Sequence, residues 1–203
     1  MAKKSSLTAE KIMTEKQWRT LAKELERYKE AAITQGTDYK YVHDFYLLSL
    51  GWMTGLRISE VSSLNWSDIG DDQWLLVRNG KGNKDRTVFF GKKTDALINQ
   101  YFDFREKTLG HKCTSDEPIF RNIHRKRYKP SGIGRRTRFW IDKTSLPRSL
   151  SYHSLRHGFA TRMLNKGVGV HDLKEILGHS NIAVTSIYLH FTEESRSKFR
   201  QLL

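Results

Sequence analysis

Tyr152-His153-Ser154-Leu155-Arg156-His157-Gly158-Phe159-Ala160 is the stretch on which the fold of this chain turns. Leu155, Phe159 and Met163 recur every fourth residue, the spacing of a helix burying one face. Ser151 precedes the run and suits the start of that helix. His153 and Arg156 are three apart and project together near the helix N-terminus, where unpaired N–H groups and the helix dipole favour an anion. His153 and His157 also share a face, which raises a metal site. A zinc-protease helix needs Glu after its first His, however, and this chain has Ser154, with no clear third ligand nearby. No metal is expected.

Upstream of that helix the chain is intensely basic. Residues 119–148 hold ten Lys or Arg and a single acid, Asp142, and so carry most of the net charge of +14 on the 203-residue chain. Such a balance points to a polyanion, with nucleic acid first and an anionic membrane surface second. A hydrophobic fraction of 37% excludes a disordered polyelectrolyte. No apolar run nears the roughly 18 residues that a membrane span needs. The lone Cys113 forms no internal disulfide, and no secretory signal follows Met1, so a reducing cytoplasm is expected.

Working outward, the order is helices, a small sheet, then helices again, in one unit. Residues 1–12 read as a flexible lead and 13–203 as one domain. Thr14 caps a helix carrying Trp18, Leu21, Leu25 and Tyr28, and Tyr41–Met53 is apolar nearly all round, the mark of a central helix. Gly55 ends it, and 56–61 opens a short helix. Residues 74–78 and 86–90 are β-like and flank a Gly-, Asn- and Lys-rich tip, a hairpin. Helical spacing resumes at Thr94, and after Pro147 at about 152–166, 170–177 and 182–190, with 193–203 as a terminal helix. The class is α+β, mainly α-helical with a small antiparallel β-sheet.

Further candidates are individually plain. Arg57 and Glu60, three apart after the Gly55 break, suit a surface ion pair or a pre-oriented guanidinium. Gly178 is a natural helix end and Ser180 or Asn181 a natural cap, so His179 lies in a tight turn between helices. Tyr188 lies beside the apolar stripe of Val184, Ile187 and Phe191. In one straight helix it would stand about 13 Å from His179, at about 1.5 Å per residue, and the turn shortens that.

Taken in order, Gly55-Leu56-Arg57-Ile58-Ser59-Glu60, Gly80-Lys81-Gly82-Asn83-Lys84, His153-Ser154-Leu155-Arg156-His157-Gly158-Phe159-Ala160, Leu177-Gly178-His179-Ser180 and Ile187-Tyr188 resemble the boxes of the tyrosine recombinase (phage integrase) family, in its C-terminal catalytic domain. The resemblance implies that fold and a site-specific DNA recombinase. Tyr188 would attack the scissile phosphate to give a 3′-phosphotyrosyl link and a free 5′-hydroxyl. Arg57 and Arg156 would hold the phosphate oxygens, Lys81 would protonate the leaving oxygen (with Lys84 its rival), and His153 would act as base. His179 would bond the phosphate, and Glu60 would orient Arg57 or His153. Neither metal nor nucleotide cofactor is needed. The implied partners are double-stranded DNA and further copies of the chain, two per site and four in the synapse, with Phe199, Leu202 and Leu203 docking on a neighbour.

For the DNA backbone the basic residues Lys84, Arg86, Arg135, Arg136 and Arg138 are the candidates. Most members of the family carry an additional N-terminal helical clamp domain that is not expected within this chain. It reads either as a minimal recombinase, which its Met1 start favours, or as an excised catalytic domain. The rivals are a type IB topoisomerase, with similar chemistry but no strand exchange, and a non-catalytic DNA-binding regulator. The bacterial pattern Leu177-Gly178-His179 and the occupied catalytic positions weigh against both.

Overall fold

A computed structural model describes residues 7–78, 85–110, 113–122, 124, 126–179 and 181–192. Helix α1 (Glu15–Gln35) begins where Thr14 was expected to cap it. The Thr14 hydroxyl accepts from Gln17 N at 3.2 Å, and the Gln17 side chain accepts from Thr14 N at 2.9 Å. Helix α2 (Lys40–Thr54) is the central one, with His43, Asp44 and the run from Tyr46 to Trp52 buried. It ends at Gly55, whose φ of 67° suits glycine and whose missing Cβ leaves room for Phe159, which a Cβ would approach to 2.5 Å.

Helix α3 (Ile58–Ser63) follows, then strands β1 (Ile69–Gly70), β2 (Trp74–Val77) and β3 (Arg86–Phe89). They form an antiparallel sheet in the order β1-β2-β3, with Leu75 opposite Val88 and Val77 opposite Arg86. The hairpin tip at 79–84 lies outside the described residues. Helix α4 (Lys92–Asp103) runs into a π-helical turn at Phe104–Thr108.

Helix α5 (Pro130–Lys143) falls inside the basic stretch, where charge hides the pattern. Pro130 at its first position is compatible with a helix start, and Ile133, Thr137, Trp140 and Ile141 make its buried stripe. Helix α6 (Tyr152–Asn165) packs on α2. A Cβ on Gly51 would lie 2.4 Å from the Tyr152 hydroxyl, and one on Gly158 would lie 2.4 Å from both the Trp52 ring and the Met13 carbonyl. The two helices meet because both positions lack a side chain.

Helices α7 (Val170–Leu177) and α8 (Ile182–Ser186) close the fold. Gly178 ends α7 in the left-handed region at φ 63°, and the Asn181 side chain caps α8 by accepting from Ala183 N. The helix expected to reach 190 gives way at Ile187 to a 3-10 turn, Ile187–Phe191. Residues 7–12, part of the lead read as flexible, include a 3-10 turn at Ala9–Lys11. Ile12 and Met13 are buried, and Met13 N donates to the Ser154 carbonyl at 3.2 Å. The segment 193–203, with Phe199, Leu202 and Leu203, lies outside the described residues. Among the described residues no helix is long and apolar enough to cross a membrane.

Candidate active site

The site grows from one carboxylate. Glu60, on α3 and only 5% exposed, accepts from Arg57 N at 2.7 Å and from Arg57 Nη1 at 2.6 Å. It also takes both ends of the Arg86 guanidinium, at 2.8 and 2.9 Å, and lies 3.8 Å from Arg156 Nη1. Burial alone would raise its pKa. The hydrogen bonds and charge of Arg86, the Arg57 N–H and the charge of Arg156 outweigh that and bring it down to about 2.

The same three arginines also grip the end of α7. Arg86 Nε donates to the Ile176 carbonyl at 3.2 Å, Arg156 Nη2 to Leu177 at 2.7 Å and Arg57 Nη2 to Gly178 at 2.9 Å. These successive carbonyls lie at a helix C-terminus, where cations are favoured. Arg156 Nη1 donates in addition to the Gly55 carbonyl at 2.8 Å, so one side chain ties the ends of α2 and α7 together. Burial, then the charge of Arg57, lowers the pKa of Arg156 to about 10. Three guanidiniums thus share one carboxylate. The surplus of positive charge, on side chains already fixed in direction, suits an anion such as a phosphate.

His179 follows Gly178 directly, so the arginine grip on α7 also sets its place. Its Nδ1 shares a 2.8 Å hydrogen bond with Thr185 Oγ1, and burial plus Arg156, Arg57 and Arg86 bring its pKa to about 3. The imidazole is neutral near pH 7. Tyr188 lies under it, ring centroids 6.4 Å apart and planes 15° from parallel, so the turn does draw the pair together. The Tyr188 side chain is buried. Burial raises its pKa, while Arg156 and Arg57 act the other way. Its hydroxyl shares a 2.8 Å hydrogen bond with Nδ1 of His157.

His153 sits at the exposed side of α6. Partial desolvation, then Arg156 and Arg57, lower its pKa. The histidine bonded to the tyrosine is His157, which lies in the same box as His153 and Arg156 but carries no role there. Its signal was weak, because one step along a helix separates the faces of Arg156 and His157. Among the described residues no group of three or more His, Cys, Asp or Glu is placed to hold a metal ion.

Lys81 and Lys84 lie outside the described residues. Arg86, expected on the DNA backbone, is instead drawn inward to Glu60 and α7. The signal was strand parity, since Arg86 shares a face with the buried Val88. Arg136 likewise turns inward, holding buried Asp44 through its Nε and Nη2. Asp44 also accepts from Trp140 Nε1 at 2.7 Å. Arg136 stands beside the Ile133–Trp140 stripe, and that neighbourhood draws it in. Arg138 donates to the Arg148 and Leu150 carbonyls at 2.9 and 3.0 Å, bracing the loop before α6. Of the described candidates for the DNA backbone, Arg135 alone is exposed.

The fold agrees with the comparisons to known proteins. The model of the phage integrase family matches residues 11–195. Tyrosine recombinase XerC of Pediococcus pentosaceus is 34% identical over 164 residues, covering 80% of this chain and 54% of that protein. Tyrosine recombinase XerD of Chlamydia trachomatis is 36% identical over 152 residues, covering 75% and 50%. The crystal structure of XerA recombinase superposes with a TM-score of 0.72 at 30% identity, covering 94% of this chain and 64% of that one. The chain belongs to the phage integrase family. It spans about half the length of the curated relatives it matches.

Proposed function

We propose that this chain is the catalytic domain of a site-specific tyrosine recombinase that cuts and rejoins duplex DNA through a phosphotyrosyl link at Tyr188. The observation that carries this reading is the junction at the end of α7. Arg57, Arg86 and Arg156 hold three successive carbonyls there, and the next residue, His179, stacks over Tyr188.

In this reading Arg57 and Arg156 turn their remaining N–H groups to the non-bridging oxygens of the scissile phosphate. Transfer of a phosphodiester is largely positioning and neutralisation of oxygen charge, which fixed guanidiniums supply. His179 donates to the same phosphate from Nε2, since its Nδ1 is engaged by Thr185. His153 meets the phosphate from the open side. Lys81 protonates the departing 5′-oxygen, and Glu60 keeps the guanidiniums in register. The phosphotyrosine conserves the energy of the broken bond, so the chemistry calls on neither metal nor nucleotide. Arg135, with Lys84, meets the DNA backbone. Two copies would occupy a site and four a synapse, acting on bacterial or phage DNA in the cytoplasm.

The test is covalent capture. The chain is incubated with a pool of duplexes randomised over the site and bearing a nick, and DNA that stays attached to protein in detergent is sequenced. A recombinase yields adducts with one recovered site and exchanges strands between duplexes carrying it. Relaxation of supercoils without exchange would move the reading to a topoisomerase, and binding without adducts to a regulator.

A further inference from the structure

The geometry points to His157 as the group that accepts the phenolic proton of Tyr188 when the tyrosine attacks. The inference rests on the recombinase reading above and names a residue that the recombinase boxes leave without a role. Tyr188 Oη and His157 Nδ1 stand 2.8 Å apart, the separation for direct proton transfer, with ring centroids 5.7 Å apart. His153, the base expected from the sequence, is exposed three residues before Arg156. Among the described residues it makes no such bond.

The surroundings of His157 suit the role. On α6 it has Arg156 and His153, from the N-terminal turn Lys11, from the α7–α8 turn His179, and from the 3-10 turn Tyr188. Burial, then the charges of His153, Arg156 and Lys11, lower its pKa to about 4, so the ring is neutral near pH 7, and in the tautomer protonated at Nε2 its Nδ1 accepts from the tyrosine. A phosphate settling between Arg57 and Arg156 offsets the cationic charge that depresses it. DNA binding would therefore raise the basicity of His157 just when the proton has to move. Meanwhile the hydroxyl stays tethered on a buried tyrosine.

The step balances. The Oη–P bond forms as the P–O5′ bond breaks. The phenolic proton passes to His157 Nδ1, and the 5′-oxygen leaves with a proton from Lys81. On rejoining, the 5′-hydroxyl gives its proton to Lys81, and His157 returns its own to Tyr188.

The test uses the full chain and the duplex recovered by covalent capture, nicked beside the cleavage point, with single-turnover adduct formation followed from pH 6 to 9. His157→Asn keeps an acceptor near the position of Nδ1 but cannot carry a proton. Its adduct rate should fall by roughly 10²–10⁴ at pH 7, the usual contribution of a general base. It should then climb about tenfold per pH unit, because a phenol of pKa about 10 must ionise by itself. Wild type should stay level over that range. His157→Gln, which places its acceptor differently, should show the same slope, and thermal melting confirms that each variant folds. If either folded variant forms adduct at the wild-type rate, or falls by one factor at every pH, His157 only packs against the tyrosine and the inference is overturned. Absence of adduct with wild type would instead overturn the recombinase reading beneath it.

Discussion

Replacing Glu60 by Gln removes one charge from the centre of the site while keeping its shape. The carboxylate has a pKa of about 2 against an ordinary 4.5. At about 1.4 kcal/mol per unit, that gap corresponds to about 3 kcal/mol of folding stability at neutral pH. The figure agrees in scale with the 3–5 kcal/mol usually lost when one member of a buried ion pair is removed. The introduced amide would also turn its N–H₂ toward a guanidinium, and three arginines would then share no anion. Since the folded-state pKa is depressed, this stability is present in full above about pH 4.5 and is lost as pH falls toward 2. In a chain of this size each kcal/mol shifts the melting temperature by about 2–4 °C. Glu60→Gln should therefore melt roughly 6–12 °C below wild type at pH 7. The free-energy gap should narrow below pH 4.5, to about 1 kcal/mol by pH 3. Urea titrations at pH 7, 5, 4 and 3 supply the gap directly. A gap under about 0.5 kcal/mol at pH 7, or one that does not change down to pH 3, would refute the role of Glu60 as the hub.

Other outcomes follow from the same contacts. Arg136→Ala should destabilise the fold by about 3–5 kcal/mol, because Asp44 is left buried with its charge, whereas Arg135→Ala should leave stability alone. Arg135→Ala should instead reduce by about 1 the slope of log affinity against log salt for duplex DNA, a slope that Arg136→Ala should leave unchanged. Gly158→Ala should cost about 1–3 kcal/mol by forcing the Trp52 ring and the Met13 carbonyl away, read as a lower urea midpoint. His179 has a folded pKa of about 3, below its ordinary 6.5. The unfolded chain therefore takes up its proton first, and stability falls as pH drops below 6.5. His179→Gln should show a smaller fall in melting temperature from pH 7 to pH 5 than wild type, and an equal fall would contradict the assignment.

Much of the fold was legible because its signals were strong. The apolar run of α2, the Thr14 cap and the Gly55 and Gly178 stops each report a local physical demand, and the structure meets them. Helix α5 was not read because its buried stripe is embedded among ten cations. Charge counts report what a segment carries and not which way each side chain turns. For that reason the charge pattern alone makes Arg86 and Arg136 resemble DNA contacts. Only strand parity with Val88, and proximity to Ile133 and Trp140, reveal that both face carboxylates inside the molecule. The short strand β1 has too few residues to show a period. In the site, Arg57, Glu60, Arg156, His179 and Tyr188 come together. The hydrogen bond between Tyr188 and His157 depends on how the 3-10 turn at Ile187–Phe191 sets Tyr188 against α6, a tertiary outcome that no local spacing encodes.

The most direct test of the central claim is to digest the covalent protein–DNA species and locate the modified peptide by mass spectrometry, beside a parallel capture with Tyr188→Phe. The nucleotide is expected on Tyr188. No adduct is expected with Tyr188→Phe, whose affinity for the same duplex should match wild type. Adduct formation that persists in Tyr188→Phe, or a nucleotide on any other residue, would contradict the claim.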